Sequence, residues 1–177
     1  FAALAALAAA HAVLGLEVPP EALREALVRV GSVRDGRFAP EVLADGTVLL
    51  DDTYNSNTGS ARSSLQAARE LADQLGRRLV LVLGEMREMG PLAAQEHDEV
   101  ARLAVAAAPA LLVAVNGEAV RFARAAAEAG LPSSFYETGE QAAPRVAQAV
   151  RPGDVVLVKA SRGVRLETVA SALRTAR

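Results

Sequence analysis

No cysteine and no tryptophan occur among the 177 residues. Disulfides and thiolate metal sites are therefore excluded. The same lack fits an intracellular, reducing compartment, so the expected location is cytoplasmic. Aromatic residues make up only 3% of the chain. Rings that could stack nucleic-acid bases are missing. No basic stripe replaces them, because the net charge is −2 and the pI about 5.8. Nucleic acid is thus not an expected partner. Long apolar runs are scarce as well. Residues 1–16 are almost wholly apolar, but they fall short of the roughly 20 residues a membrane span needs. They also lack the positive start of an export signal. The expectation is an alanine-rich helix packed against protein, and no membrane span. Absent too are a Gly-x-x-x-x-Gly-Lys-Ser/Thr phosphate loop and a Gly-x-Gly-x-x-Gly fingerprint. No metal-ligand cluster and no nucleophile with a paired base can be found. By itself the chain holds no complete catalytic apparatus and is expected to be inactive alone.

What is present is apolar and small. Hydrophobic residues make up 51% of the chain, so a core must be built from Ala, Val and Leu. The alanine excess favours helix. The length suits one domain, or one domain with part of another. The chain starts at Phe1, without Met, inside what reads as a helix. That start suggests a piece of a longer protein.

The pattern predicts helices over 1–14 and 21–30, with Pro19-Pro20 opening the second. Two helices with no strand between them read as the end of a preceding domain. A Gly- and Ser-rich connection over 31–36 follows. The expected division is 1–35 and 36–177. Beyond it, runs over 37–43 and 47–51 flank Ala44-Asp45-Gly46, a hairpin signal. Then strands and helices alternate. Helices are predicted over 60–75, 93–107, 117–129, 141–150 and 164–176. Strands are predicted over 78–83, 111–115, 134–136 and 154–159. This alternation argues for an α/β fold, Rossmann-like, with a mostly parallel sheet and helices on both faces. The strand runs are continuously apolar, as strands covered on both sides must be.

Three polar segments stand where apolar runs stop. Asp51-Asp52-Thr53-Tyr54-Asn55-Ser56-Asn57 follows Val48-Leu49-Leu50. Leu83-Gly84-Glu85-Met86-Arg87-Glu88-Met89-Gly90 follows the run over 79–82. Lys159-Ala160-Ser161-Arg162-Gly163-Val164-Arg165-Leu166-Glu167 follows the run over 155–158. On parallel strands all three emerge at the carboxyl edge of one sheet, where open α/β folds bind ligands.

In the first segment, the Asp52 carboxylate can accept from a ribose diol. Asn55 and Asn57 offer amide donors to phosphate or carboxylate oxygens. Taken singly, Asn57, Thr58 and Ser60 read as helix caps. The run as a whole is denser than a cap requires. In the third, Lys159, Arg162 and Arg165 gather at a strand end and a helix start. Cations oppose the helix dipole there, so an anionic ligand or a nearby acidic partner is expected. Ser161 either caps the helix or bonds that ligand, and Glu167 pairs with an arginine one turn away. The second segment reads as a solvated loop whose Glu85 and Glu88 pair with Arg87. His97, between Glu96 and Asp98, reads as a surface histidine.

The three segments together, in this order and spacing over roughly 36–177, resemble the Mur ligase family. The first is similar to Asp-Asp-Ser-Tyr-Asn-Ala-Asn-Pro of its D-alanyl-D-alanine-adding branch. The second is similar to that branch's Leu-Gly-Asp/Glu-Met-x-Glu-Leu-Gly, and the third to its Lys-Gly-Ser-Arg-x-x-x-x-Glu. Gly36-Arg37 resembles the Gly-Arg that opens the family's C-terminal domain. Residues 1–33 look like the last helices of its central ATPase domain. Two departures stand out: Thr58 replaces the motif's proline, and Ala160 replaces the glycine before Ser161.

The resemblance implies a C-terminal domain that closes over ligands held by two others. It implies an ATP-dependent ligase that adds D-alanyl-D-alanine to UDP-N-acetylmuramoyl tripeptide in peptidoglycan precursor synthesis. The tripeptide carboxylate becomes an acyl phosphate, the dipeptide amine attacks it, and ADP and phosphate leave. ATP and Mg2+ would be held mainly by the central domain. Carried over position by position, Arg37 and Asp52 would contact the nucleotide's base and ribose, and Asn55 its phosphates. Asn57, Ser161 and Arg162 would be nearest the dipeptide, with Lys159 holding the loop. A sister ligase adding diaminopimelate or lysine would typically carry a His in place of Asn55. Its diaminopimelate-adding form would also carry Asp-Asn-Pro-Arg. Neither is present. Folylpolyglutamate synthase is a more distant option, and a non-catalytic α/β binding module the option from another class.

Overall fold

A computed structural model describes residues 36–177. The helices expected over 1–14 and 21–30, and the division at 35/36, lie outside the described residues or at their margin. A hairpin comes first, with β1 (Ala39–Val42) antiparallel to β2 (Val48–Asp52). Its turn is closed by the Thr47 N–H, which donates to Asp45 Oδ1 at 3.0 Å. Then follow α1 (Thr58–Leu75), β3 (Leu79–Gly84), α2 (Ala93–Ala106), β4 (Leu111–Val115) and α3 (Val120–Glu128). β5 (Ser133–Tyr136), α4 (Gly139–Ala149), β6 (Val155–Lys159) and α5 (Glu167–Ala176) complete the order. The six strands form one sheet in the order β1-β2-β6-β3-β4-β5. Every neighbouring pair except β1-β2 is parallel. The expected α/β architecture is the one found.

Side chains alternate across the sheet with period two, and the strands feed two cores. Val48, Leu50, Leu79, Leu81, Val155 and Leu157 face one side, where Leu65 of α1, Val100 of α2 and Phe122 of α3 cover them. Leu49, Val80, Val82, Val156 and Val158 face the other, under Val146 of α4 and Val169 and Leu173 of α5. Both faces are dry, which explains the unbroken apolar strands.

The chain order creates a crevice. From β2 the path runs through α1 to β3 and outward to β5, then returns through α4 to insert β6 between β2 and β3. The helix after β6 lies on the face opposite the helices after β2 and β3. Connections therefore diverge on both sides of the β6 carboxyl end, the switch point at which such sheets take ligands.

Two predicted helices begin later than expected. The one predicted over 164–176 starts at Glu167, because Arg162–Val164 form a 3-10 turn and Arg165 adopts a left-handed φ of 61°. The one predicted over 117–129 opens with a 3-10 turn at Gly117–Ala119 before Val120, since Asn116 and Gly117 also have positive φ.

Candidate functional site

β2, β6 and β3 are adjacent, so the three polar segments leave the sheet side by side. Asp52 and Lys159 end their strands as register partners. Lys159 is 2% exposed, and a buried ammonium requires partners. Its Nζ donates to Asp52 Oδ2 at 2.6 Å and to the Asn55 carbonyl at 3.0 Å. Asp52 also accepts from the Phe38 N–H at 3.0 Å on Oδ1 and from Ser64 Oγ at 2.7 Å on Oδ2. Of the two options for the cations of the third segment, Lys159 takes the acidic partner. With three donors among the described residues on a carboxylate of about four lone-pair directions, one direction on Asp52 Oδ1 is filled by none of them.

Ser161 links all three segments. It is 4% exposed. Its N–H donates to the Glu85 carbonyl at 3.2 Å, and its Oγ accepts from the Arg87 N–H at 2.8 Å. The hydroxyl proton points at the Ser56 carbonyl, 3.4 Å away. Ser161 thus makes no side-chain cap to the turn that follows.

Asn57 is the N-cap of α1, as its type suggests. Its Oδ1 accepts from the Ser60 N–H at 2.8 Å, and Ser60 Oγ accepts from the Asn57 N–H at 3.1 Å, a reciprocal capping box. The Asn55 side chain is turned back, with Oδ1 accepting from the Ser56 N–H at 2.8 Å. Tyr54, 41% exposed, carries two guanidinium groups near its ring. Arg37 lies 4.0 Å from the centroid and Arg162 5.7 Å, both within cation–π range.

A cavity of about 550 Å³ opens here, lined by Arg37, Asp52, Tyr54, Asn55, Asn57 and Lys159 among others. Five of the seven residues singled out from sequence line it. Ser161 and Arg162 do not, but Arg162 reaches its wall through Tyr54.

The second segment is more than a solvated loop. Glu85 does pair with Arg87 at 3.5 Å, while Glu88 joins no ion pair among the described residues. The Glu85 carboxylate also accepts from the Glu118 N–H at 3.1 Å, capping the turn before α3. Arg87 lies so close to Gly163 that a Cβ there would collide with its guanidinium. Gly84 is hemmed in as well: a Cβ there would lie 2.6 Å from the Ala160 methyl, 3.0 Å from Val164 Cγ1 and 3.2 Å from Leu166 Cδ1. Glu167 makes no ion pair with Arg162 or Arg165 among the described residues, because the left-handed Arg165 separates turn from helix.

His97 is not a surface residue. It is fully buried and stacks on Phe122, with centroids 5.4 Å apart and planes at 23°. The helical stripe of His97, Val100, Ala101 and Ala104 is the buried face of α2. That spacing signals burial, and the flanking acids obscure it. Glu96 meets Thr58 and Asp98 meets Arg121, both across the helix flanks. Ser64, the second side chain holding Asp52, lies twelve residues downstream inside α1, where no local signal marks it.

Comparisons with known proteins identify the family. The family described as Mur ligase, glutamate ligase domain, matches residues 36–162. The UDP-N-acetylmuramoyl-tripeptide–D-alanyl-D-alanine ligase of Mycobacterium leprae (strain TN) is 38% identical over 179 residues, covering 92% of this chain and 35% of the relative. The ligase of the same name from Escherichia coli (strain K12) is 32% identical over 170 residues, covering 96% and 36%. Among solved structures, MurF ligase from Thermotoga maritima in complex with ADP superposes with a TM-score of 0.62 at 26% identity, covering 81% of this chain and 31% of that one. A MurF from Acinetobacter baumannii gives 0.64 at 27% identity, covering 97% and 36%. The chain thus spans about a third of the length of these relatives. A match across most of its residues makes the chain a member of the Mur ligase family.

Proposed function

We propose that residues 36–177 are the C-terminal domain of an ATP-dependent ligase joining D-alanyl-D-alanine to UDP-N-acetylmuramoyl tripeptide, and that residues 1–35 close its central domain. The observation that carries this reading is the bonding of all three segments into one edge, Asp52 to Lys159 and Ser161 to both Arg87 and Ser56. Relatives of that name at 32–38% identity support it. The reaction would take place in the cytoplasm, with Mg2+ held mainly by the central domain.

ATP, when bound, supplies the phosphoryl group that activates the tripeptide carboxylate. The residues of the cavity suit a nucleotide's sugar. Asp52 has one acceptor direction that no described residue fills, enough for one ribose hydroxyl, and Arg37 stands exposed at the rim. Asn55 would face the phosphates once its side chain turns outward. Asn57 has its carbonyl oxygen in the cap and keeps its amide donors. Lys159 holds the loop rather than the ligand. Ser161 fixes the loop's height, and Arg162, exposed beside it, supplies the planar fork that a dipeptide carboxylate needs. The domain's contribution is placement of the amine, which can be worth several kcal/mol of barrier.

The test uses the full-length enzyme and a D-Ala-D-alaninamide substrate, which lacks the carboxylate charge. Wild type should lose about ten- to a hundred-fold in kcat/KM on the amide, the size of one charged hydrogen bond. Arg162→Ala should lose a similar factor on D-Ala-D-Ala and little more on the amide. Arg162→Lys should fall between, since it keeps charge without the fork. Equal losses on the amide for both enzymes would reject the assignment of Arg162.

A further inference from the structure

His97 has its two ring nitrogens committed to one tautomer. Nδ1 lies 2.7 Å from the Ala93 carbonyl, which only accepts, so Nδ1 carries the proton. Nε2 is then the acceptor, and it takes the Met86 N–H at 2.9 Å. Met86 is itself buried and sits in the second segment. The very next amide, Arg87 N–H, points the other way and holds Ser161 Oγ at 2.8 Å. Consecutive amides of one loop therefore join a histidine in the core to a serine at the sheet edge. The Glu85 carbonyl, one residue earlier, takes the Ser161 N–H. The ring cannot drift, because Phe122 stacks on it.

We infer that His97 is a positioning residue for the dipeptide site: it sets the 85–88 loop so that the Arg87 amide fixes Ser161 and, with it, the Arg162–Val164 turn. The inference rests on the proposed reading that this turn faces the dipeptide. His97 touches no ligand in this scheme. It acts through two backbone amides, and its loss would loosen Ser161 without unmaking the sheet.

Asn and Gln separate the two ring nitrogens. In His97→Asn the amide nitrogen occupies the Nδ1 position and can still donate to Ala93, but the side chain stops short of Met86. In His97→Gln the side-chain carbonyl reaches the Nε2 position and can accept from Met86. In the full-length enzyme, His97→Asn should raise the KM for D-Ala-D-Ala about tenfold, as one lost hydrogen bond allows, with the ATP KM within about twofold. His97→Gln should stay within about threefold of wild type for both. Placing His97→Asn in a Ser161→Ala background should add nothing further, since partners in one chain of contacts are not additive. Hydrogen–deuterium exchange over residues 83–90 should quicken in His97→Asn and stay near wild type in His97→Gln.

A merely structural histidine would lower the folded fraction and the apparent kcat in both variants and leave the dipeptide KM alone. That result overturns the inference. So does an unchanged exchange rate in His97→Asn, or an undiminished effect in the Ser161→Ala background. Should exchange quicken while neither His97→Asn nor Ser161→Ala moves the dipeptide KM, the assignment of this turn to the dipeptide fails. The latch itself would stand, and its claim on substrate binding would fall with that assignment.

Discussion

Asp52 and Lys159 are joined twice, as register partners across β2 and β6 and by a 2.6 Å bond between Oδ2 and Nζ. They stand 107 positions apart in the chain, so the bond is a long-range closure of the sheet. Removing one partner leaves a buried charge, whereas removing both need not destabilise. Asp52→Ala should therefore lower stability by about 3 kcal/mol in urea unfolding and also raise the ATP KM about ten- to a hundred-fold. Asp52→Leu with Lys159→Met should regain most of the stability and none of the ATP affinity. Recovery of the ATP KM in the double variant would reduce Asp52 to a structural role.

Thr58 stands where the related motif has proline, and it is the first residue of α1. Proline suits that position, since its missing N–H has no helical partner. Asn57 before it is already extended, with φ −144° and ψ 170°, as a residue preceding proline prefers. Thr58→Pro should be neutral or stabilising by up to about 1 kcal/mol, offset by loss of the hydroxyl's bond to Glu96. Asn57→Ala should cost about 1 kcal/mol through the cap. Thermal unfolding of the two variants should move in opposite directions, or at least differ by that amount.

Gly117 has a φ of 48° and no room for a Cβ, because the Glu85 carboxylate fills that space. Gly117→Ala should destabilise by about 1–3 kcal/mol from strain and a displaced cap. Adding Glu85→Ala should recover part of that loss by clearing the space. If the two losses simply add, Glu85 is not the obstacle.

Asp45 offers a pH handle away from the site. Burial would raise its carboxyl, but hydrogen bonds from Thr47 and the Arg177 guanidinium outweigh this and hold it below its ordinary value near 3.8. A lowered folded value means stability that is present above the unfolded value and fades as pH falls through the folded one. Asp45→Asn should thus melt lower than wild type at pH 7, and the gap should close on acidification below about pH 4. A gap that holds constant with pH would assign the loss to packing alone.

Much of this site is legible in the residues because parallel strands place every carboxyl end on one edge. Once 48–50, 79–82 and 155–158 read as strands, the three polar segments have to meet. Which of them touch is not legible, since β6 inserts between β2 and β3 only after the chain has passed through β5. That insertion makes Lys159 a partner for Asp52, whereas Arg162 joins no ion pair among the described residues. The helix predicted from 164 starts late because Arg165 is left-handed, a conformation that non-glycine residues take uncommonly and that the local sequence does not signal. His97 shows the opposite error. Its helical spacing marks the buried face, and the acids at 96 and 98 draw attention to the wrong side of the helix.

The close approach of Gly84 to Ala160 bears on how such a chain can change over generations. A Cβ at 84 would meet the Ala160 methyl at 2.6 Å and, beside it, Val164 Cγ1 at 3.0 Å and Leu166 Cδ1 at 3.2 Å. The Ala160 methyl is the nearest of the three, so Gly84 is held to glycine most firmly while the alanine stays. A lineage moving the methyl from one strand end to the other would have to pass through the double glycine. The same alanine substitution at 84 should cost less in a relative with glycine at 160 than in this chain, an epistasis of magnitude set by a single methyl group.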